Sequence, residues 1–140
     1  MSEESLKRIQ RRLNAIPTRV REAAAKASGE AAKEVAEDMR HFAIASKDTG
    51  DLIKSITVTG PNESTPPYSQ PGGAAVVPEG TYRITAGNKD VRYPHLVEYG
   101  TSLAEAQPFF WPAVRSNRKK VLSTIKRAVA KTLRESWGKK

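Results

Sequence analysis

Two long stretches of helical periodicity, one at each end of the chain, bracket a centre rich in proline and glycine. At the N-terminal end, apolar residues recur at every third or fourth position as far as residue 45. Such spacing gives a helix one apolar face. Pro17 interrupts the stretch, because proline lacks an amide hydrogen and is tolerated best in the first turn of a helix. We therefore predict a long N-terminal helical segment over residues 1–45 that is broken near Pro17.

The second stretch predicts a C-terminal helix over residues 108–137, with its cations opposite its apolar face except for Arg118. Residues 113–140 hold ten basic side chains and one acidic side chain, a net charge of +9, which equals that of the whole 140-residue chain. Such a basic stripe favours DNA or an acidic protein surface as a partner, and a solvated helix face is the alternative. The cations expected to make these contacts are Arg115, Lys119, Lys120, Lys126, Arg127, Lys131 and Arg134.

The centre of the chain, residues 54–88, predicts short strands and a long loop. Apolar and polar residues alternate around Ile56 and again around Ile84, and Val76-Val77 predicts a further short strand. Between them, residues 60–75 contain four prolines and three glycines, which predicts a flexible loop of unusual length. A short helix is expected over residues 93–100. The whole predicts one α+β domain, 1–140, with helices at both ends packed on a small, mostly antiparallel sheet.

Few residues of this chain suit catalysis or metal binding. The absence of cysteine removes disulfides, thiolate metal sites and cysteine nucleophiles. Asp48 and Asp51 fit turn and cap hydrogen bonds better than acid–base chemistry, and His95 and Glu98 have no third metal ligand. No apolar run approaches the roughly 20 residues that span a membrane. We therefore expect no enzyme, no cofactor, no metal and no membrane contact, and a protein that is intracellular or part of something assembled inside a cell.

Three of the nine aromatic residues are consecutive, at Phe109, Phe110 and Trp111, between two prolines. One interpretation is that they fill the core where the last helix begins. The other is that they anchor a neighbouring subunit, since aromatic side chains dominate interface hot spots.

Three segments in order carry a resemblance to a known family: DTGDLIKSI from Asp48, VEYGT from Val97 and QPFFWPAV from Gln107. Together with the alanine-rich N-terminal segment, they resemble the tail-completion or head–tail joining proteins of long-tailed phages, also called neck or minor tail proteins. Tyr99 stands where this family more often has phenylalanine, and Trp111 where smaller or polar residues are usual.

The resemblance implies a non-enzymatic virion protein of the neck or tail, assembled in the host cytoplasm. It implies a homo-oligomeric ring, with a hexamer favoured, that contacts neighbouring neck and tail proteins and surrounds the passing DNA. It also implies that Glu98 binds backbone or a neighbouring chain. The residues expected at a subunit or partner interface are Tyr68, Gln70, Glu98, Phe109, Phe110 and Trp111. The alternative function is non-specific nucleic-acid binding by the basic C-terminal helix.

Overall fold

The computed structural model describes residues 3–14, 18–44 and 50–137. Along the chain the elements are α1 (Glu3–Asn14), α2 (Thr18–Ala43), α3 (Asp51–Ser55), β1 (Thr57–Thr59), β2 (Arg83–Thr85), α4 (Pro94–Tyr99) and α5 (Phe110–Trp137). This α+β architecture, with long helices towards both ends and a small antiparallel sheet, confirms the predicted fold class. Pro17 and Asp48, on which two of the sequence interpretations depend, lie outside the described residues.

The two long helices α2 and α5 pack against each other along much of their length. Ala27, Ala31 and Val35 of α2 are buried, and small side chains at such positions let two helix axes approach closely. Asn117 of α5 ties the pair together by donating from Nδ2 to Oδ2 of Asp38 at 2.7 Å. The helix α3 and the strands β1 and β2 in turn pack against α2.

The sheet consists of β1 and β2, paired antiparallel with Val58 opposite Ile84. The prediction of a strand at Val76-Val77 is wrong: Val76 forms a single β-bridge with Ser64 instead. The backbone at this point pairs within the loop, since Val77 donates its N–H to Glu63 O at 2.9 Å. Prolines at 66, 67 and 71 lack the donors that a longer ladder would need.

The proline-rich loop is tied to itself and to the sheet. Thr65 is buried, and its Oγ1 donates to Gly73 O at 2.8 Å and accepts from the N–H of Ala75 at 2.9 Å. Gln70 exchanges two backbone hydrogen bonds with Ala86, of 2.9 and 3.0 Å. These bonds fix the middle of the loop beside the residue that follows β2; the mobility expected of the loop in the free protein stays a prediction.

The hydrophobic core lies where the C-terminal half of α2 meets α3, the sheet and the first turn of α5. Its buried members are Val35, Ala36, Met39, Ala43, Leu52, Ile56, Ala86, Val91, Phe109, Phe110 and Ala113. Ser55 joins two of these elements, because its hydroxyl donates to Leu52 O at 2.6 Å and accepts from the N–H of Gly87 at 3.0 Å. The core thus fixes the segment from β2 to α4 against the start of α5.

Candidate functional site

A cleft of about 370 Å³ collects five of the six residues that the sequence placed at an interface. It opens between the loop, α4 and the first turn of α5. Its lining residues are Gln70, Pro71, Ala86, Pro94, His95, Glu98, Tyr99, Phe109, Phe110 and Trp111. Tyr68 is not among them. It is 55% exposed, and its ring lies under the guanidinium of Arg92, with 3.8 Å between Cζ and the ring centroid.

The carboxylate of Glu98 caps the N-terminus of α5. Its Oε1 accepts the backbone N–H groups of Phe109 at 2.9 Å and Phe110 at 2.8 Å, and its Oε2 accepts that of Trp111 at 3.2 Å. The first N–H groups of a helix have no partner within the helix, and a negative charge there is favoured by the helix dipole. Of the two roles implied for Glu98, the structure shows the binding of backbone, within its own chain.

The three consecutive aromatic residues divide between core and surface. Phe109 and Phe110 are 1% and 8% exposed and pack edge to face at 6.3 Å between ring centroids. They fill the core, as the first interpretation of this cluster holds. Trp111 is 37% exposed and donates from Nε1 to the Tyr99 hydroxyl at 2.9 Å. Trp111 is thus the member of this cluster that reaches solvent, next to Tyr99, which is 69% exposed.

The polar groups of the cleft bind one another or the backbone. Gln70 Nε2 lies 3.0 Å from Nδ1 of His95, and Glu98 is occupied by the start of α5. Within residues 3–14, 18–44 and 50–137, no three His, Asp or Glu side chains lie together as a metal site would need. The arrangement suits the contact of one protein surface with another.

The predicted contact residues of α5 are accessible to solvent. Each of the seven predicted contact residues is exposed. Lys120 lies 3.3 Å from Oε2 of Glu34 on α2, and no other ion pair of these seven is found among the described residues. At about 100° per residue, Arg115, Lys119 and Lys126 form one row on the helix, and Lys120, Arg127, Lys131 and Arg134 form a second. Six of the seven cations therefore have no acidic partner in the described residues and are exposed to solvent or to a partner molecule.

A second, larger groove of about 530 Å³ lies between α2, α5 and residues 80–84, and the sequence analysis missed it. Its lining residues are Ser28, Ala32, Val35, Gly80, Thr81, Tyr82, Ile84, Val114, Arg118, Val121, Leu122 and Ile125. Arg118 is the charged member of this apolar lining. The sequence signal for this groove was the position of Arg118 on the apolar side of α5, because a cation there needs either solvent or a partner.

None of the helices in the described ranges is long and apolar enough to cross a membrane.

Comparison with known proteins gives one match. The family model described as "Bacteriophage HK97-gp10, putative tail-component" matches residues 7–100, which is more than half of the chain. The match includes Glu98 and ends at Gly100, so the segment 101–109 and α5 lie beyond it. No curated protein and no solved structure matches the chain.

Proposed function

Because the chain belongs to the HK97-gp10-like family of bacteriophage tail components, we propose that it is a structural subunit of the phage neck, a tail-completion or head–tail joining protein. The family match over residues 7–100 carries this proposal. The segment QPFFWPAV, which begins α5 beyond the match, supports it, since it is the third motif of the resemblance. In this role the protein is assembled into virions in the host cytoplasm and acts by contact rather than by catalysis.

The proposed assembly is a closed ring of identical chains, with a hexamer favoured. In such a ring the contacts are head to tail, so each subunit contacts one neighbour through one surface and the other neighbour through a different surface. This chain has unlike surfaces: the aromatic pair Tyr99 and Trp111 beside the first cleft, and the apolar groove along α5. These surfaces support a heterologous contact better than a twofold one.

Native mass spectrometry of the purified chain, alone and with its neck and tail partners, tests this proposal. The expected result is a closed oligomer of uniform subunit number that joins the tail or neck complex. Monomers or twofold dimers in every sample would refute the ring. A chain missing from purified virions would refute the structural role itself.

Non-specific DNA binding by α5 is the second candidate function. The observation that favours it is the set of exposed cations on α5, most of which have no acidic partner in the described residues. In a ring that DNA traverses, such side chains would contact phosphates without reading the sequence. Binding of the purified chain to DNA should then weaken steeply with salt. Binding that does not depend on salt would remove this candidate.

A further inference from the structure

Residues 101–108, between α4 and the buried Phe109, form an exposed turn that holds one leucine out in solvent. All eight residues are exposed, and Leu103 at 97% is the most exposed large apolar side chain of the described residues. We call this segment the Leu103 turn. A leucine in this position costs free energy in water that burial against a partner would recover.

The Leu103 turn is held in shape by its own hydrogen bonds. Thr101 Oγ1 accepts the N–H groups of Leu103 at 3.2 Å and Ala104 at 3.0 Å, and Thr101 N donates to Ala104 O at 2.8 Å. The far end is fixed by Gln107, whose N–H donates to Val97 O at 2.8 Å. Gly100, with φ +77°, allows the close approach, since a Cβ there would lie 2.7 Å from Ala106 N. A turn already ordered loses less entropy on docking than a flexible one.

The groove between α2 and α5 has the complementary features. Its lining is mostly apolar, and Leu122 in it is 51% exposed. Its charged lining residue is Arg118, for which no ion pair is found among the described residues. The Leu103 turn carries one charged side chain, Glu105, two residues after the leucine. The Leu103 turn thus offers an apolar side chain and an acid, and the groove offers an apolar lining and a base.

We propose that the Leu103 turn of one copy of this chain docks into the α2–α5 groove of the next copy, with Leu103 in the apolar lining and Glu105 beside Arg118. The contact joins two different surfaces, so it is the kind that closes a ring by rotation. This inference rests on the ring assembly proposed above and assigns its interface.

The charge of the groove decides between this occupant and α1. The helix α1 also has an apolar side chain in solvent, Leu6, at 54%. Its sequence, however, carries four cations against two acids, so near Arg118 it would meet a like charge. The Leu103 turn brings an acid and no base to the same place. Electrostatic complementarity therefore selects the turn.

Site-specific disulfide cross-linking tests the contact directly, because the native chain has no cysteine. A Leu103→Cys chain mixed with a Leu122→Cys chain should give a cross-linked heterodimer under mild oxidation. The same Leu103→Cys chain mixed with a Lys89→Cys chain is the matched control, since Lys89 is exposed and lies outside the groove. Equal cross-linking to both positions would overturn the inference. Preferential cross-linking of Leu6→Cys to Leu122→Cys would overturn it in favour of α1.

The second test exchanges the two charges. Native mass spectrometry measures the protein concentration at which half of the chain is assembled. Leu103→Ser and Arg118→Glu should each raise that concentration at least about tenfold. Glu105→Arg combined with Arg118→Glu should recover much of the assembly that either change alone removes. Lys89→Glu makes the same charge change at an exposed position outside the groove lining, and should have less than a threefold effect.

The outcomes separate this inference from the proposed ring. Rings that are unaffected by these substitutions overturn the docking contact and leave the ring in place. A chain that stays monomeric and gives no cross-link overturns both. Cross-links that build open chains of variable length support the contact and refute the closed ring.

Discussion

Glu98 joins α4 to α5 through the backbone N–H groups of Phe109, Phe110 and Trp111. Replacing Glu98 with alanine would leave these donors without acceptors in a largely buried place. We expect Glu98→Ala to lower the free energy of unfolding by about 2–3 kcal/mol, measured by urea denaturation. Glu98→Gln keeps one acceptor oxygen and should cost about half as much.

Glu79→Ala is the control for this measurement, because Glu79 is exposed in the segment between the loop and β2. It should change the free energy of unfolding by less than about 0.5 kcal/mol. A Glu98→Ala variant as stable as the Glu79→Ala variant would show that the cap contributes little and that solvent satisfies the start of α5.

Gly29 is the second residue with a specific local role. Glycine inside a helix costs about 1 kcal/mol relative to alanine, and it stands in the middle of α2. A Cβ at this position would lie 2.8 Å from Cζ of Tyr82, so the glycine makes room for that ring. We expect Gly29→Ala to stabilise a Tyr82→Ala background by about 1 kcal/mol and to give no gain with Tyr82 present. Equal gains in both backgrounds, by thermal or urea unfolding, would contradict the packing argument.

Some of these single-residue roles could be predicted from sequence and some could not. The resemblance implied that Glu98 binds backbone or a neighbouring chain, but no pattern in the sequence shows which N–H groups face it. The partners of Trp111 and Gly29 are likewise set by tertiary contacts, with Tyr99 twelve residues away and Tyr82 further still. Side-chain chemistry limits what a residue can bind, and the fold then selects the partner.

Among the elements, the helices were predictable and the strands less so. The apolar period that predicted helices at both ends extends over more than twenty residues in α2 and α5, so one irregular position does not hide it. The strands have three residues each, too few for an alternating pattern to distinguish them from a loop. At Val76-Val77, two adjacent β-branched residues suggested a strand, but the backbone there pairs only with residues 62–64.

The exposed cations of α5 lead to a prediction at this scale. Replacing Lys119, Lys120, Lys126 and Arg127 with glutamine should leave the fold intact, because all four are exposed and glutamine is a good helix former. Loss of the 3.3 Å pair between Lys120 and Glu34 should cost well under 1 kcal/mol, since both side chains are more than half exposed. We expect fewer joined, infectious particles and a smaller dependence of assembly on salt.

A Lys→Gln control with the same total charge change belongs elsewhere on the surface. Four exposed lysines away from α5 offer such sites: Lys26, Lys33, Lys54 and Lys89. If the α5 variant and this control give the same particle yield, the basic stripe is a solvated helix face, as the alternative holds.

For the whole molecule, the fold places the two clefts described above on different sets of elements. One is built from the loop, α4 and the start of α5, and the other from α2, the body of α5 and residues 80–84. Sequence reasoning identified five residues of the first cleft from motifs that are local in the chain. It missed the second because that groove combines three segments that are far apart in sequence, and only packing brings them together.

The loop beside the first cleft gives the last prediction, which concerns the assembled molecule. Tyr68 at its tip is 55% exposed, whereas its neighbour Gln70 is bonded to Ala86 and contacts His95. We expect chymotrypsin to cleave after Tyr68 in the free chain and to leave this bond intact in assembled particles, where a neighbouring subunit or tail protein covers it. Mass spectrometry of the fragments measures both rates. Cleavage after Lys89 by trypsin is the internal control, because Lys89 and Asp90 are exposed and line neither cleft. Equal loss of cleavage at both sites would indicate general shielding by the particle, and equal cleavage after Tyr68 in free and assembled protein would show that nothing docks on this loop.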